Sequence, residues 1–165
     1  MTHDPRDAGS GAMDLDDDVS FAVYATALAF NKAYKSLLDP LRLTYPQFLV
    51  MIVLWGRDNV TVNELGARLF LDSGTLTPLL KRLEAAGYVR RKRDPTDNRQ
   101  VRITLADPGR ALEPTARSAF EKFSCAIDLG AEGMTALRHA LAIVRLKLRR
   151  PSDPDTRSQG EELSC

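Results

Sequence analysis

The chain has little of what several large functional classes require. It holds two cysteines, Cys125 and Cys165, and two histidines, His3 and His139, among 165 residues. Two cysteines do not make the disulfide framework of a small secreted domain. Four donors scattered along the chain are also poor material for a structural zinc site, which needs four ligands within tetrahedral reach. No metal and no cofactor is expected. No apolar run approaches the roughly 20 residues needed to cross a bilayer, and the N-terminus lacks the basic flank and apolar stretch of a secretory signal. A cytoplasmic protein without a membrane partner is the expectation. An enzyme is not expected either, since no histidine stands where it activates a thiol and no Gly-rich or nucleophile-elbow motif is present. Net charge is only +1, so overall basicity points to no partner.

What is present is an ordinary globular composition, 44% hydrophobic and 27% charged, in a chain long enough to bury a core. Charge is unevenly placed. Residues 1–18 carry Asp4, Asp7, Asp14, Asp16, Asp17 and Asp18 against Arg6. Residues 90–102 carry Arg90, Arg91, Lys92, Arg93, Arg99 and Arg102 against Asp94 and Asp97. A local basic cluster in a neutral chain suits a docking surface for phosphate, although a solvated charged loop has the same composition.

Polar, apolar-poor residues 1–13 and 150–165 read as disordered tails flanking one domain over 14–149. From about Asp16 to Leu38, Phe21, Tyr24, Ala25, Leu28, Ala29, Leu37 and Leu38 recur at helical spacing. Three aspartates suit its first turn, and Pro40 is expected to push Asp39 out of the helical region. Thr44-Tyr-Pro-Gln47 is a capping box with proline in the first turn, opening a helix to Gly56 with Phe48, Met51, Ile52 and Trp55 along one face. Thr61-Val-Asn-Glu64 is a second capping box, starting a short helix with Val62, Leu65 and Leu69 inward. Ser73 can cap another, with Leu76, Leu79, Leu80 and Leu83 on its inner face and Gly87 as its left-handed stop. Pro78 conflicts with a start at Ser73, whereas a start at Thr75 removes the conflict. Val101, Ile103 and Leu105 alternate with polar residues as a half-buried strand, paired with the run from Val89 across the turn 94–98. A long helix from Asp107 to Ile127 and another from Ala131 to Arg149 complete the order. Six helices and a two-stranded hairpin make a mainly α chain with a small β wing, the layout of a winged helix-turn-helix.

In that layout the helix after Ser73 reads DNA. Its inner face is leucine, and Gly74, Pro78 and Lys81 point the other way, flanked by Thr77 and Arg82. Ser73, Thr75 and Thr77 are small enough to approach base edges and phosphates, and Lys81 and Arg82 can hold phosphate or read guanine. Polar outer faces are common on any surface helix, so the hairpin matters. A tip carrying Arg93 and Arg99 suits an adjacent minor groove, and Asp97 is placed to orient Arg99 by a charge-assisted bond.

The stretch Leu43-Thr-Tyr-Pro-Gln-Phe-Leu-Val-Met51 and the run Leu71-Asp-Ser-Gly-Thr-Leu-Thr-Pro-Leu-Leu-Lys-Arg-Leu-Glu-Ala-Ala-Gly87 resemble the MarR family, and within it the organic hydroperoxide resistance regulators. The wing Arg93-Asp-Pro-Thr-Asp-Asn-Arg99 and the following Ile103-Thr-Leu-Ala-Asp-Pro-Gly109 fit the same pattern. The resemblance spans about residues 14–115; beyond it only the helical layout agrees. It implies a homodimer formed through helices in 14–40 and 108–149, with 44–105 as the winged-helix lobe. It also implies a palindromic double-stranded operator, repression by the reduced protein, and release when an organic hydroperoxide oxidises a thiol. The family's sensing cysteine falls in Val19-Ser20-Phe21-Ala22-Val23-Tyr24, where this chain has Ser20. A serine hydroxyl stays protonated without a base and cannot follow the thiol oxidation ladder. Either Ser20 replaces a cysteine and locks the reduced state, or the chain is a divergent regulator with another effector.

Ser20 and Tyr24 are neighbours at i and i+4. Tyr34 lies fourteen residues on, roughly 21 Å along a straight helix, so it meets Ser20 only across a two-fold axis. The family pattern implies two tyrosines around the sensing position, matched here by Tyr34 and Tyr45, which with Tyr24 would form the sensing pocket; without the pattern all three read as core or interface residues. By the same resemblance Cys125 is a candidate resolving thiol, although a lone helical cysteine is commonly a small buried hydrophobe. Cys165 sits in a polar tail and reads as incidental. An alternative trigger is a small aromatic or phenolic ligand in a cleft lined by Tyr24, Tyr34, Trp55 and Phe48. A thiol enzyme built on Cys125 lacks a base, and a purely structural dimer would have no use for the basic wing.

Overall fold

The computed structural model describes residues 14–148, and the two polar tails with His3, Cys165 and Arg149 lie outside them. The chain divides into two compact units, one running to Ala126 and one from Ile127.

In the first unit, helix α1 (Val19–Leu38) is capped by Asp18, whose carboxylate accepts from Ser20 N–H at 2.8 Å. The aspartates therefore precede the helix. Leu15–Asp17 is a separate 3-10 turn, and the first turn of α1 holds no acid. Asp39 is not expelled from the helical region as expected. It stays right-handed and opens a 3-10 turn, Asp39–Leu41, with Pro40 at its start. A proline restrains its predecessor only by sterics, and here the chain reverses three residues later at Arg42, with φ of 54°.

Helix α2 (Tyr45–Gly56) and helix α3 (Val62–Leu69) both start at complete capping boxes, Thr44 with Gln47 and Thr61 with Glu64. Phe48, Val50, Met51, Val53 and Leu54 are buried on α2, whereas Ile52 is exposed. On α3 only Leu65 is buried; Val62 and Leu69 are half-buried. Helix α4 (Ser73–Ala85) is capped by Asp72, not Ser73, because the Asp72 carboxylate reaches Thr75 N–H at 2.8 Å. The helix continues through Pro78, so the proline leaves one carbonyl a turn earlier without its usual donor. It ends as expected at Gly87, φ 77°. There Gly87 N–H bonds to Glu84 and Tyr88 N–H to Leu83, which satisfies the last carbonyls.

The wing has three strands rather than two. Strand β1 (Val60–Thr61), β2 (Val89–Arg93) and β3 (Val101–Leu105) form an antiparallel sheet in the order β1-β3-β2. Val60 faces Ile103, and Arg93 faces Val101. The single long helix expected from Asp107 is two, α5 (Asp107–Ala111) and α6 (Glu113–Ile127), because Pro114 restarts the helix in its own first turn. Gly109 of α5 lies so close to Tyr88 that a Cβ there would sit 2.1 Å from the Tyr88 carbonyl oxygen. Seven α-helices result among the described residues, one more than the six expected. The core of this unit joins α2, α3, α4 and the sheet through Phe48, Met51, Leu54, Leu65, Leu76, Leu80, Leu83, Val89 and Ile103, all nearly inaccessible.

The second unit contains helix α7 (Gly130–Leu148), which has no buried residue. Leu137, Leu141, Val144 and Leu148 recur along it at three- and four-residue steps, all exposed within the chain.

Candidate nucleic-acid interface

On α4, Leu76, Leu80 and Leu83 are buried and Leu79 is half-buried, which turns the opposite face outward. Ser73, Gly74, Thr75, Pro78, Lys81 and Arg82 are exposed there, and Thr77 is half-buried. Thr75 Oγ1 donates to Asp72 Oδ2 at 3.0 Å. With its proton committed, the Thr75 oxygen offers lone pairs outward. Hydrogen bonds from the Thr75 N–H and then its hydroxyl hold the Asp72 carboxyl below the usual carboxylate range.

In the wing, Arg90, Lys92, Arg93 and Arg99 are exposed. Two members of the basic run are engaged with the protein instead. Arg91 takes Glu84 of α4 by its backbone N–H at 3.1 Å and by an ion pair at 3.7 Å. Arg102 donates from Nε to Asp94 Oδ2 and from Nη1 to the Asn59 carbonyl oxygen. Asp97 does not orient the Arg99 guanidinium as expected. Its Oδ1 accepts from the Arg99 backbone N–H and its Oδ2 from Gln100 Nε2, both at 3.0 Å. An aspartate two residues before a turn position reaches the backbone more readily than the long side chain beyond it. Asp94, which composition presented only as a turn residue, is the buried acid of the wing at 3% exposure.

The sequence-derived sensing residues separate into two places. Ser20 and Tyr24 are exposed near the start of α1, with Phe21 6.5 Å from Tyr24 between ring centroids. Tyr34, at 3% exposure, is stacked between Tyr45, 4.4 Å away, and Phe123 of α6, 3.9 Å away. Phe30 meets the same Phe123 at 5.1 Å. Phe123 went unnoticed in the sequence because its ring partners, Phe30 and Tyr34, are some ninety residues away. Burial, then the neighbouring Tyr45, pushes the Tyr34 phenol up to about 12, and burial raises Tyr45 as well. Cys125 is free and exposed on α6, not a buried hydrophobe.

A cavity of about 290 Å³ lies between α2 and α6. Phe48, Ile52, Trp55, Ala116 and Phe120 form its apolar walls, and Glu113 and Arg117, paired at 2.8 Å, its polar edge. Tyr24 and Tyr34 do not line it, contrary to the cleft drawn from sequence, because Tyr34 is turned into the stack with Tyr45 and Phe123. No three His, Cys, Asp or Glu side chains gather as a metal site among the described residues. Nor is any single described helix long and apolar enough to cross a membrane.

Comparison with known proteins places this geometry. The family model described as transcriptional regulator SarA/Rot matches residues 32–113. The HTH-type transcriptional regulator TtmR of Methylorubrum extorquens (strain PA1) is 63% identical over 99 residues, 60% of this chain. The chain spans about half of that relative, 51% of its length. The organic hydroperoxide resistance transcriptional regulator of Bacillus subtilis (strain 168) is 45% identical over 104 residues, covering 63% of this chain and 71% of that protein. Among solved structures, reduced AbfR bound to DNA superposes with a TM-score of 0.70 at 31% identity, over 82% of this chain and 96% of that one.

Proposed function

Because the chain belongs to the MarR-type winged-helix transcriptional regulators, on their organic-hydroperoxide-resistance branch, we propose that it binds a palindromic double-stranded operator as a homodimer and represses transcription. The observation that carries this reading is the pairing of two exposed polar surfaces in one folded unit. The outer face of α4 presents Ser73, Thr75, Lys81 and Arg82, and the wing presents Arg93 and Arg99. Thr77, half-buried, supports the edge of that face. A recognition helix in the major groove with arginines in the adjacent minor groove uses both. Self-association is supported by the uncovered apolar stripes of α1 (Phe21, Tyr24, Leu28) and α7 (Leu137, Leu141, Val144). Residues 14–40 and 108–149 serve as dimerisation helices and 44–105 as the DNA-binding lobe.

The trigger position is Ser20, and this chain is a form locked in the repressing state toward organic hydroperoxides. In the dimer, Ser20 and Tyr24 of one protomer approach the stacked Tyr34–Tyr45 pair of the other. A cysteine at position 20 would attack the distal peroxide oxygen as thiolate, giving a sulfenic acid and the alcohol. Cys125, being exposed, is available to condense with that sulfenic acid, releasing water and forming a disulfide. A second reading is favoured by the cavity between α2 and α6: a small aromatic or phenolic effector seated against Phe48 and Trp55.

The test is binding to duplexes from the chain's own promoter region, measured by fluorescence anisotropy over a series of salt concentrations. Specific binding is expected. Lys81→Ala should reduce the slope of log affinity against log salt by about 0.9, the loss of one phosphate contact. Arg99→Ala should weaken operator binding by about 1–3 kcal/mol. No difference between operator and unrelated duplex would remove the reading.

A further inference from the structure

Arg102 reads as one more basic residue of the wing, yet both ends of its guanidinium are occupied by the protein. Nε donates to Asp94 Oδ2, and Nη1 donates to the Asn59 carbonyl oxygen at 2.9 Å. These acceptors flank β3 on opposite sides. Asp94 follows β2, and Asn59, left-handed at φ 58°, leads into β1. One side chain on the central strand therefore staples together the segments that border all three strands.

Asp94 has a second attachment. Its Oδ1 accepts from Thr96 N–H at 2.8 Å, Thr96 Oγ1 at 2.6 Å and Asp97 N–H at 3.3 Å. One carboxylate oxygen thus folds the tip and the other ties it to the sheet. The staple extends beyond Asn59. Asp58 accepts from Asn59 N–H and Leu105 N–H, both at 2.8 Å, and pairs with Arg110 of α5. The wing is braced from its turn through β3 to the helix behind it.

A carboxylate beside a DNA-facing tip opposes phosphate, so an electrostatic account alone would have the wing better off without it. We propose that Asp94 is a positioning residue for DNA recognition: through Arg102 and Asn59 it sets the angle at which the wing presents Arg99, and Arg102 belongs to this staple rather than to the DNA contact. The inference rests on the reading of the wing as a DNA contact. Hydrogen bonds from the Thr96 hydroxyl and N–H, ahead of those from Arg102 and Asp97, hold the Asp94 carboxyl well below the usual carboxylate range. The staple is therefore charged wherever DNA binding is measured.

The test uses the full chain, a promoter-derived operator duplex and a scrambled duplex of equal length, at one salt concentration. Asp94→Asn makes the wing more positive by one charge, so electrostatics and positioning predict opposite signs. Positioning predicts operator binding about tenfold weaker, the size of one lost base or groove contact, with scrambled-duplex binding unchanged or tighter. In the Asp94→Asn background, Arg99→Ala should then have less than about a twofold further effect, since coupled residues are not additive. Arg102→Lys keeps the charge but cannot span both acceptors, and it should lose as much as Asp94→Asn; it also decides the matter if Asp94→Asn does not fold. Operator binding unchanged or tighter in Asp94→Asn, while Arg99→Ala still weakens the parent, overturns the positioning role alone. No effect of Arg99→Ala in the parent overturns the wing reading and the positioning role with it.

Discussion

Trp55 donates its indole Nε1–H to the carbonyl oxygen of Gly109 at 2.9 Å, which ties the end of α2 to the short helix that follows the wing. Gly109 also packs against Tyr88, whose hydroxyl reaches back to the Leu41 carbonyl at 3.2 Å. The end of α2, the segment after α4 and the turn before α2 are thus tied together behind the wing at one glycine.

Gly109→Ala should therefore be severe. The new methyl would meet the Tyr88 carbonyl oxygen at 2.1 Å and the Met51 methyl at 3.2 Å. Overpacking of this kind costs about 2–3 kcal/mol, which for a chain of this size lowers Tm by about 4–12 °C. Differential scanning calorimetry checks it. An unchanged Tm would mean that α5 moves freely against Tyr88.

Trp55 is the single tryptophan, and it lines the cavity between α2 and α6. Its emission should report any occupant. Titration with salicylate or a simple phenol is expected to quench it saturably if the cavity takes an aromatic effector, and Ile52→Phe, which narrows the cavity without adding a second tryptophan, should weaken that binding. A linear, unsaturable response would leave the hydroperoxide trigger without this rival.

Burial tends to raise the Asp58 carboxyl, but hydrogen bonds from Leu105 and Asn59 N–H, with Arg110, overcome it and hold the group below the usual range. A carboxylate with a depressed folded-state value stabilises fully above its unfolded value near 3.9 and loses that contribution as pH falls through the folded value. The Tm gap between the parent and Asp58→Asn should be full at about pH 6 and shrink below about pH 4. A gap that does not change with pH would show that the charge of Asp58 is not what counts.

Tyr34 has the opposite dependence. Its phenol is pushed up to about 12, so the folded state holds the proton more tightly than the unfolded chain does. Stability is lost as pH rises from about 10 toward that value. Tyr34→Phe keeps the stacked ring and should flatten this alkaline loss, as measured by denaturant unfolding between about pH 9 and 11.

The parts of the fold that could be read in advance are those decided within a few residues. Thr44 with Gln47, Thr61 with Glu64, and Gly87 after four spaced leucines each satisfy helix ends locally, and each stands where the pattern put it. Strand β1 was invisible because two residues show no alternation; only pairing with Ile103 and Arg102 makes them a strand. Asp72 took the capping role assigned to Ser73 because its longer carboxylate reaches Thr75, and both residues fit the motif equally well on paper. In the wing, charge counting grouped Arg91 and Arg102 with the exposed arginines. Their partners Glu84 and Asp94 lie seven and eight residues off, across a helix end and a turn, where spacing is silent. The stacked Tyr34, Tyr45 and Phe123 were similarly scattered over three helices; the first two were singled out only through the family pattern.

The central claim is an operator-binding repressor whose trigger position carries an unreactive hydroxyl. It is tested most directly by measuring operator affinity for this chain and for Ser20→Cys, side by side, with and without cumene hydroperoxide. The account predicts that both bind when untreated, that peroxide releases only Ser20→Cys, and that a thiol reductant restores binding if the oxidised form is a disulfide with Cys125. Peroxide-driven release of the Ser20 chain itself, or retention of the Ser20→Cys protein on DNA after its thiol is oxidised, would contradict it.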